Sequence, residues 1–178
     1  MLNRIYVLFA ILPIVILAGC TSMGTEIAKT GDIIGVDYIG TLNDGTVFDT
    51  SLKAVAEKNN IYNPQRGYAP LEFTIGEGQM IKGFDEGVVG MKVGEMKKIP
   101  LQPEDAYGNV RSDLIVNVGA SQITNDPSQL AVGGSVYTQT GSVGIIKEIN
   151  NGTVTVDFNH PFAGKELNFE ITLVSISN

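Results

Sequence analysis

The sequence has very little of the residue types on which most metalloproteins and many enzymes depend. It contains one cysteine, Cys20, one histidine, His160, and no tryptophan. A single cysteine rules out a disulfide within the chain, and a single histidine rules out a zinc site built on paired imidazoles. We therefore expect no metal, no cofactor and no chemistry that needs two imidazoles.

Positive charge is also scarce. The 178 residues include 12 Lys and Arg against 19 Asp and Glu, which gives a formal net charge of −7. Binding to nucleic acid needs clustered Lys and Arg to neutralise phosphates, and the longest run here is Lys97-Lys98. The composition therefore predicts that nucleic acid is not a partner.

The remaining composition and the length are typical of one packed domain, or of a domain that carries a modest insert. Hydrophobic residues make up 43% of the chain and charged residues 17%, which argues against wholesale disorder. The 21 glycines favour a β-rich fold with many turns over a helical bundle.

The first twenty residues have the pattern of a targeting segment. Arg4 precedes an apolar stretch over residues 5–19, which is interrupted by Pro13. This stretch is shorter than the roughly 18–20 residues that span a bilayer as a helix, and its length suits a secretory signal. It ends at Cys20, and residues 17–20 (LAGC) resemble a lipobox, in which the cysteine thiol is acylated and becomes the mature N-terminus.

This pattern predicts a lipoprotein at the extracytoplasmic face of the cell membrane. Residues 1–19 are the expected signal peptide, Cys20 is the expected lipidated residue, and residues 20–30 are a short polar tether. The alternative is an uncleaved, single N-terminal transmembrane anchor in which the cysteine is incidental.

Several segments have the composition of β-strands. In the first of them, Ile34, Val36 and Tyr38 fall on one face, and Asn43-Asp44-Gly45 then predicts a tight turn. The last segment alternates in the same way and is expected to return to the first sheet. The predicted strands outside the insert are residues 32–42, 46–49, 71–75, 95–101 and 165–176.

Two short helices separate these strands. The hydroxyl of Thr50 or Ser51 is expected to cap the first helix. Gly83 and Gly87 weaken the second, since glycine in a helix interior costs about 1 kcal/mol relative to alanine. The predicted helices are residues 52–60 and 81–89.

The composition changes at residue 109. Aromatic side chains become scarce until Phe158, while Gly, Asn, Ser and Val are frequent. Asn150-Asn151-Gly152 predicts a hairpin turn. The chain order is therefore strands, then a small β-rich insert, then one more strand. The β candidates of the insert are residues 114–118, 136–140, 143–149 and 153–157.

Three further features have simple structural explanations. Gly76-Glu77-Gly78 lacks the Lys-Ser/Thr pair of a phosphate-binding loop and carries a negative charge, so nucleotide binding is not expected. Asn151-Gly152-Thr153 is a glycosylation sequon that a hairpin turn already accounts for. His160 lies in a predicted turn without a carboxylate or nucleophile paired with it in sequence, which favours a structural role.

Five aromatic residues fall in separate predicted elements. Periodicity alone predicts that these side chains are ordinary core residues. They are Tyr38, Phe48, Phe84, Tyr107 and Phe169.

Longer stretches resemble the FKBP-type peptidyl-prolyl isomerases. Residues 36–51 (VDYIGTLNDGTVFDTS) are similar to the opening of these proteins, and residues 70–108, with GFDEGVVGM and AYG, to their middle. Residues 159–174 (NHPFAGKELNFEITLV) look like the closing strand of the SlyD-like branch. Residues 52–69 resemble longer archaeal members, and residues 109–158 take the place of the flap, as an insert-in-flap domain does.

The resemblance implies an α+β fold that is mostly β. A half-open antiparallel sheet would wrap on a short helix, with an apolar pocket between them and a small β-rich insert domain in the flap. Residues 31–110 and 158–178 would form the isomerase domain, and residues 111–157 the insert, which binds unfolded polypeptide in the family.

The resemblance also implies a set of site residues. Phe84 stands where many members have tryptophan, which implies a wider pocket floor. The Ile81 N–H and the Tyr107 hydroxyl would hold substrate carbonyls, and Asp49 would either orient Tyr38 or face the rotating carbonyl. The expected catalytic residues are Tyr38, Asp49, Ile81 and Tyr107, and the expected substrate-binding residues are Phe48, Met80, Phe84 and Phe169.

The implied function is peptidyl-prolyl cis-trans isomerisation by a monomer acting on unfolded or X-Pro-containing polypeptides. Rotation about an X–Pro bond breaks no covalent bond, so neither a nucleophile nor a metal is required. The alternative is a holdase chaperone that keeps the fold but has little turnover. A third possibility, a surface adhesion or assembly factor, has no sequence feature that points to it.

Overall fold

The computed structural model describes residues 26–124 and 126–177. The predicted signal peptide, Cys20 and half of the predicted tether lie outside these residues. Within the described ranges, no helix has both the length and the apolar character needed to cross a membrane.

The described chain forms two antiparallel sheets connected by short helices and turns. Every strand and helix predicted above is present, and no end shifts by more than three residues. The strands are β1 (Ile33–Leu42), β2 (Val47–Thr50), β3 (Leu71–Thr74), β4 (Met96–Leu101), β5 (Ile115–Gly119), β6 (Ser135–Tyr137), β7 (Val143–Asn150), β8 (Thr153–Asp157) and β9 (Leu167–Ser177). The helices are α1 (Lys53–Lys58), α2 (Lys82–Gly87) and α3 (Ala120–Ile123).

The first sheet has the strand order β2-β1-β9-β4, and β3 pairs with the other end of β1. Tyr38 of β1 lies opposite Ile171 of β9, and Phe169 lies opposite Ile99 of β4. The predicted alternation is confirmed, because one face of β1 and of β9 is buried in a single core together with Phe84 of α2. The fold is therefore α+β and mostly β, as expected.

Helix α2 lies unusually close to β4 because two of its residues are glycines. A Cβ atom added at Gly83 would lie 2.3 Å from a methyl carbon of Leu101, and one added at Gly87 would lie 2.4 Å from a methyl carbon of Ile99. Glycine has a low helix propensity, so these residues lower the intrinsic stability of α2. They nevertheless allow the helix to pack against the sheet. The close packing holds Phe84 in the core, where it is 3% exposed.

The predicted helix cap at Thr50 or Ser51 is wrong. Leu52 is the N-cap of α1, and no side chain caps this helix. The Thr50 hydroxyl donates to the carbonyl of Tyr38 at 2.7 Å, and the Ser51 hydroxyl accepts from the Tyr38 N–H at 3.0 Å. Both hydroxyls therefore bind the backbone of β1 beside the aromatic core, and the Thr50 hydroxyl also accepts at 3.1 Å from the N–H of Leu52, the residue before the first turn of α1.

The second sheet has the order β5-β8-β7-β6 and a small core of its own. The predicted hairpin connects β7 to β8, and its two turn residues, Asn151 and Gly152, have φ values of 47° and 79°. Positive φ at both positions is the geometry of the tight turns that β-hairpins prefer. All four strands lie within residues 111–157, the segment predicted as an insert.

Two segments connect the sheets, and side-chain hydrogen bonds join them. The Asn159 amide accepts from the Arg111 N–H at 2.9 Å and donates to the Arg111 carbonyl at 3.0 Å. Further along, the Gly164 N–H donates to the Gly108 carbonyl at 2.8 Å. The returning segment is thereby held next to the residues that follow β4.

Candidate active site

A cavity of about 300 Å³ opens between the first sheet and α2. All eight residues that the resemblance assigned to the site line it, and Leu71 and Gln79, which the sequence did not indicate, complete the lining. The residues around the cavity are Tyr38, Phe48, Asp49, Leu71, Gln79, Met80, Ile81, Phe84, Tyr107 and Phe169. Five elements or their ends thus contribute to one small space.

The floor of the cavity consists of aromatic rings that meet edge to face. The ring of Phe84 lies 5.8 Å from that of Tyr38 and 5.1 Å from that of Phe169, in both cases nearly perpendicular. Phe48 meets Phe169 in the same way at 5.7 Å. Such pairs are favourable beyond the area they bury, and they fix each ring relative to its neighbours.

Gly40 makes room for two of these rings. A Cβ atom at this position of β1 would lie 2.7 Å from the Phe48 ring and 3.0 Å from the Phe169 ring. The rings therefore pack directly over the strand backbone, and a larger residue at position 40 would push them into the cavity.

A polar network closes one side of the cavity. The Tyr38 hydroxyl donates to Asp49 Oδ2 at 2.7 Å and accepts from Arg66 Nη2 at 2.7 Å, while Arg66 Nη1 pairs with the other Asp49 oxygen. These contacts agree with the first of the two roles considered for Asp49, orienting Tyr38, and the role itself stays a prediction. Burial, followed by the hydrogen bond to the Asp49 carboxylate, raises the pKa of Tyr38 to about 12.

Sequence analysis did not identify Arg66 as part of this network. It lies in the loop between α1 and β3, within the segment that distinguishes the chain from shorter family members. The hydrogen bond to Asp49 raises the pKa of its guanidinium, so Arg66 keeps its charge. One feature of the sequence could have indicated Arg66. It is the sole arginine in residues 52–69, the segment that resembles longer family members.

Two hydrogen-bond donors at the cavity have no acceptor among the described residues. Ile81 is the extended N-cap of α2, and its N–H has no acceptor among the described residues. The Tyr107 hydroxyl likewise has no hydrogen bond within the described ranges, and the ring is 37% exposed. Burial of part of the ring and the nearby negative charge of Asp49 raise the pKa of Tyr107, so its phenol stays a donor at neutral pH.

A second aromatic group lies beside Tyr107 and includes His160, for which sequence analysis favoured a structural role. The His160 imidazole stacks on the Tyr107 ring with centroids 3.8 Å apart and planes 5° apart. The Phe162 ring lies 5.7 Å from that of Tyr107 and 4.6 Å from that of Phe48. The segment that returns from the second sheet therefore contacts two of the aromatic residues that line the cavity.

The cavity combines an apolar enclosure of aromatic rings with two free hydrogen-bond donors among its lining residues. This combination suits an apolar ring flanked by peptide groups. In the described part of the chain, no three His, Cys, Asp or Glu side chains are grouped as metal ligands. The expectation that no metal or cofactor is needed stays a prediction.

Comparison with known proteins gives the family. The model of the FKBP-type peptidyl-prolyl cis-trans isomerase family matches residues 24–174. The chain is 41% identical over 146 residues to a short-type peptidyl-prolyl cis-trans isomerase of Methanocaldococcus jannaschii, which covers 82% of this chain and 92% of the relative. The chain therefore belongs to the FKBP-type peptidyl-prolyl cis-trans isomerases, as the resemblance implied.

Other relatives carry the same activity in their names. The chain is 38% identical over 109 residues to the FKBP-type peptidyl-prolyl cis-trans isomerase SlyD of Helicobacter pylori, covering 59% of this chain and 58% of the relative. It is 28% identical over 156 residues to an FKBP-type 16 kDa isomerase of Escherichia coli, covering 85% and 95%. The roles of individual residues within the cavity stay predictions.

Proposed function

We propose that this isomerase acts on extracytoplasmic proteins from a lipid anchor at Cys20, and that its second sheet holds non-native polypeptide while the cavity isomerises X–Pro bonds. The observation that carries the assignment of the cavity as the catalytic site is the convergence of all eight expected residues on it. The second sheet supports the proposed holding of polypeptide, and the predicted signal peptide supports the proposed lipid anchor.

The cavity lowers the barrier mainly by being apolar. Rotation about a peptide bond costs about 18–20 kcal/mol because planar resonance is lost. The twisted amide has less charge separation than the planar one, so a water-excluding aromatic enclosure favours it relative to water. Phe48, Phe84 and Phe169 surround the prolyl ring, while the Ile81 N–H and the Tyr107 hydroxyl donate to substrate carbonyls on either side of the twisting bond.

Two substitutions test this assignment. Tyr107→Phe removes one donor, and Phe84→Ala opens the cavity floor, so both are expected to slow the proline-limited refolding of a client protein. The measurement is the rate constant of the slow refolding phase, with thermal unfolding of each variant to show that it is folded. If both variants act as fast as the parent chain, the catalytic site lies elsewhere.

The second sheet has a groove that suits an extended, apolar segment of polypeptide. The groove has a volume of about 520 Å³. Its lining mixes apolar side chains, such as Val116, Leu130 and Val136, with polar ones, such as Gln122 and Gln129, and Tyr137 at its side is 74% exposed. The three-residue strand β6 ends the sheet beside it. Holding a client there raises the local concentration of its prolines at the cavity.

A charge placed in the groove tests whether the second sheet holds the client while the cavity isomerises its X–Pro bonds. Tyr137→Asp is expected to slow refolding of an unfolded protein while leaving turnover of a short X-Pro peptide as it is. Val132→Asp is the matched control, because Val132 is also exposed but does not line the groove. Deletion of residues 111–157 should likewise slow refolding of the unfolded protein and leave turnover of the short peptide as it is. An equal loss of rate on both substrates would refute the proposal.

A holdase with little turnover is the second candidate. It is favoured by one observation, that the groove on the second sheet is larger than the cavity on the first, at about 520 Å³ against about 300 Å³. Under this alternative, the parent chain suppresses aggregation of an unfolded client but does not accelerate its proline-limited refolding phase.

The anchor has its own test. Mass spectrometry of the protein isolated from its native membranes should find a mature N-terminus at acylated Cys20. An intact Met1 would contradict cleavage and favour the single transmembrane anchor.

A further inference from the structure

The histidine that the sequence suggested was merely structural touches a residue expected to bind substrate. The His160 imidazole lies parallel to the Tyr107 ring at a centroid distance of 3.8 Å, the closest ring contact in the described chain. The other aromatic neighbour of Tyr107 is Phe162, at 5.7 Å and tilted by 46°. Since the Tyr107 hydroxyl has no hydrogen bond within the described residues, these ring contacts orient the side chain.

The imidazole is itself held by the backbone. Its Nδ1 accepts the Phe162 N–H at 3.2 Å, which requires that this nitrogen carry no proton. On the other side, Asn159 joins the segment to Arg111 through two hydrogen bonds. An otherwise exposed ring is therefore kept in one position, flat against Tyr107.

We propose that His160 is a positioning residue for the isomerase reaction: its unprotonated imidazole, held by the Phe162 N–H, fixes where the Tyr107 hydroxyl stands at the mouth of the cavity. This inference rests on the proposed role of Tyr107 as a donor to the substrate. His160 does not touch the substrate itself, and it acts through the ring on which it stacks.

The arrangement depends on the protonation state of His160. A proton on Nδ1 would place two donors, Nδ1–H and the Phe162 N–H, against each other, and the imidazole would leave its position on Tyr107. Burial lowers the pKa of His160, and no charged group adds to this shift. The charged groups on the elements around the ring are Asp49, Glu104, Asp105, Arg111, Asp157 and Lys165.

The experiment compares the full-length protein with His160→Ala and His160→Phe, using a short X-Pro peptide without titratable side chains. Turnover is followed by magnetisation-exchange NMR between about pH 5 and 8, the range in which histidine titrates. We expect kcat/KM of the parent chain to fall towards the acid end of this range, because burial lowers the pKa of His160 relative to a free histidine. His160→Ala should be about five-fold slower at pH 7.5 and independent of pH, which corresponds to about 1 kcal/mol.

His160→Phe restores a ring that can stack but cannot titrate. It should recover much of the rate lost in His160→Ala, and its profile should stay flat where that of the parent chain falls. A residue that merely stabilised the fold would not produce this difference between profiles. Val132→Ala, an exposed change in the second sheet's loop, is the control and should follow the parent profile.

A double substitution separates the positioning role of His160 from the donor role of Tyr107. If His160 acts through the Tyr107 hydroxyl, then His160→Ala should cause no further loss in a Tyr107→Phe background. An equal loss in both backgrounds, or a pH profile that His160→Phe leaves unchanged, would overturn the inference. If Tyr107→Phe alone leaves kcat/KM unchanged, the proposed donor role of Tyr107 fails as well.

Discussion

At the scale of single residues, the cavity combines a rigid apolar floor with one charged cluster at its edge. Asp49 is half-buried, and the hydrogen bonds from Tyr38 and Arg66 satisfy its two carboxylate oxygens. The arginine thus compensates a negative charge that would otherwise stand uncompensated next to an apolar surface, where charges are poorly solvated. This cluster holds the Tyr38 ring against Phe84 without introducing a net charge.

Replacing Arg66 should affect activity more than stability. The ion pair is partly exposed, so Arg66→Gln is expected to lower the free energy of unfolding by no more than about 1 kcal/mol. Asp49 and Tyr38 would lose the group that fixes them, and kcat/KM on a short peptide should fall by about five-fold. The measurements are urea unfolding and peptide turnover.

Arg111→Gln is the matched control for that variant, since its ion pair with Asp113 is also exposed but lies outside the cavity lining. Equal losses of turnover in the two variants would mean that the Arg66 network has no specific part in the site.

Tyr38 should titrate separately from the other tyrosines. Its pKa is raised to about 12, against about 10 for an exposed tyrosine. A raised pKa in the folded state means that the neutral phenol contributes stability below about pH 10, and that this contribution is lost as the pH rises towards about 12. Unfolding free energy should therefore fall across this interval in the parent chain but not in Tyr38→Phe. If the two curves are parallel, the pKa of Tyr38 is not perturbed.

Part of the site could be expected from the sequence, because its residues lie in motifs that keep their spacing. Phe48 and Asp49 lie in residues 36–51, and Met80 and Ile81 in residues 70–108, which are stretches through which the family resemblance places them. The resemblance gave no role to Arg66 or His160. Their partners, Tyr38 and Tyr107, are 28 and 53 positions away in the chain, and only the folded backbone brings them together.

At the scale of elements, α2 shows how packing against a sheet outweighs helix propensity. Gly83→Ala should gain up to about 1 kcal/mol in helix propensity. It would also place a methyl group 2.3 Å from Leu101 and 3.2 Å from the Asp105 carbonyl, and such overpacking costs about 1–3 kcal/mol. We expect a net loss of stability, measured by urea unfolding.

Gly67→Ala serves as the control for the helix variant. Nothing lies within 4 Å of a Cβ atom at Gly67, and its backbone does not need a positive φ. This change is expected to be neutral or slightly stabilising. A stabilising effect of Gly83→Ala of the same size would show that α2 is free to move away from β4.

The elements themselves were predictable, but their ends were less so. Alternation on β1 and β9 identifies the buried face, since a side-chain period of two follows from strand geometry. The cap expected at Thr50 or Ser51 failed because a local pattern cannot show that both hydroxyls have partners on β1. Gly83 and Gly87 were correctly seen as unfavourable for a helix, but the reason for them lies in β4.

At the scale of the whole molecule, the described part of the chain contains two cores of unequal size. The first contains fifteen buried residues, including four from β9, whereas the second contains four, from β7, β8 and α3. Stability rises with the apolar area that a unit buries, so the second sheet should be the weaker of the two. If the second sheet holds polypeptide as proposed, a weakly held sheet suits a surface that accommodates clients of varied sequence.

This difference predicts that the second sheet opens without the first. Val154→Ala removes a fully buried side chain from the smaller core, which should cost about 2 kcal/mol. Amide hydrogen exchange should become faster in β7 and β8 but stay unchanged in β1 and β9, and turnover of a short X-Pro peptide should not change. If exchange accelerates equally in both sheets, they unfold as one cooperative unit, and the weakness of the second core cannot be what adapts its groove to clients.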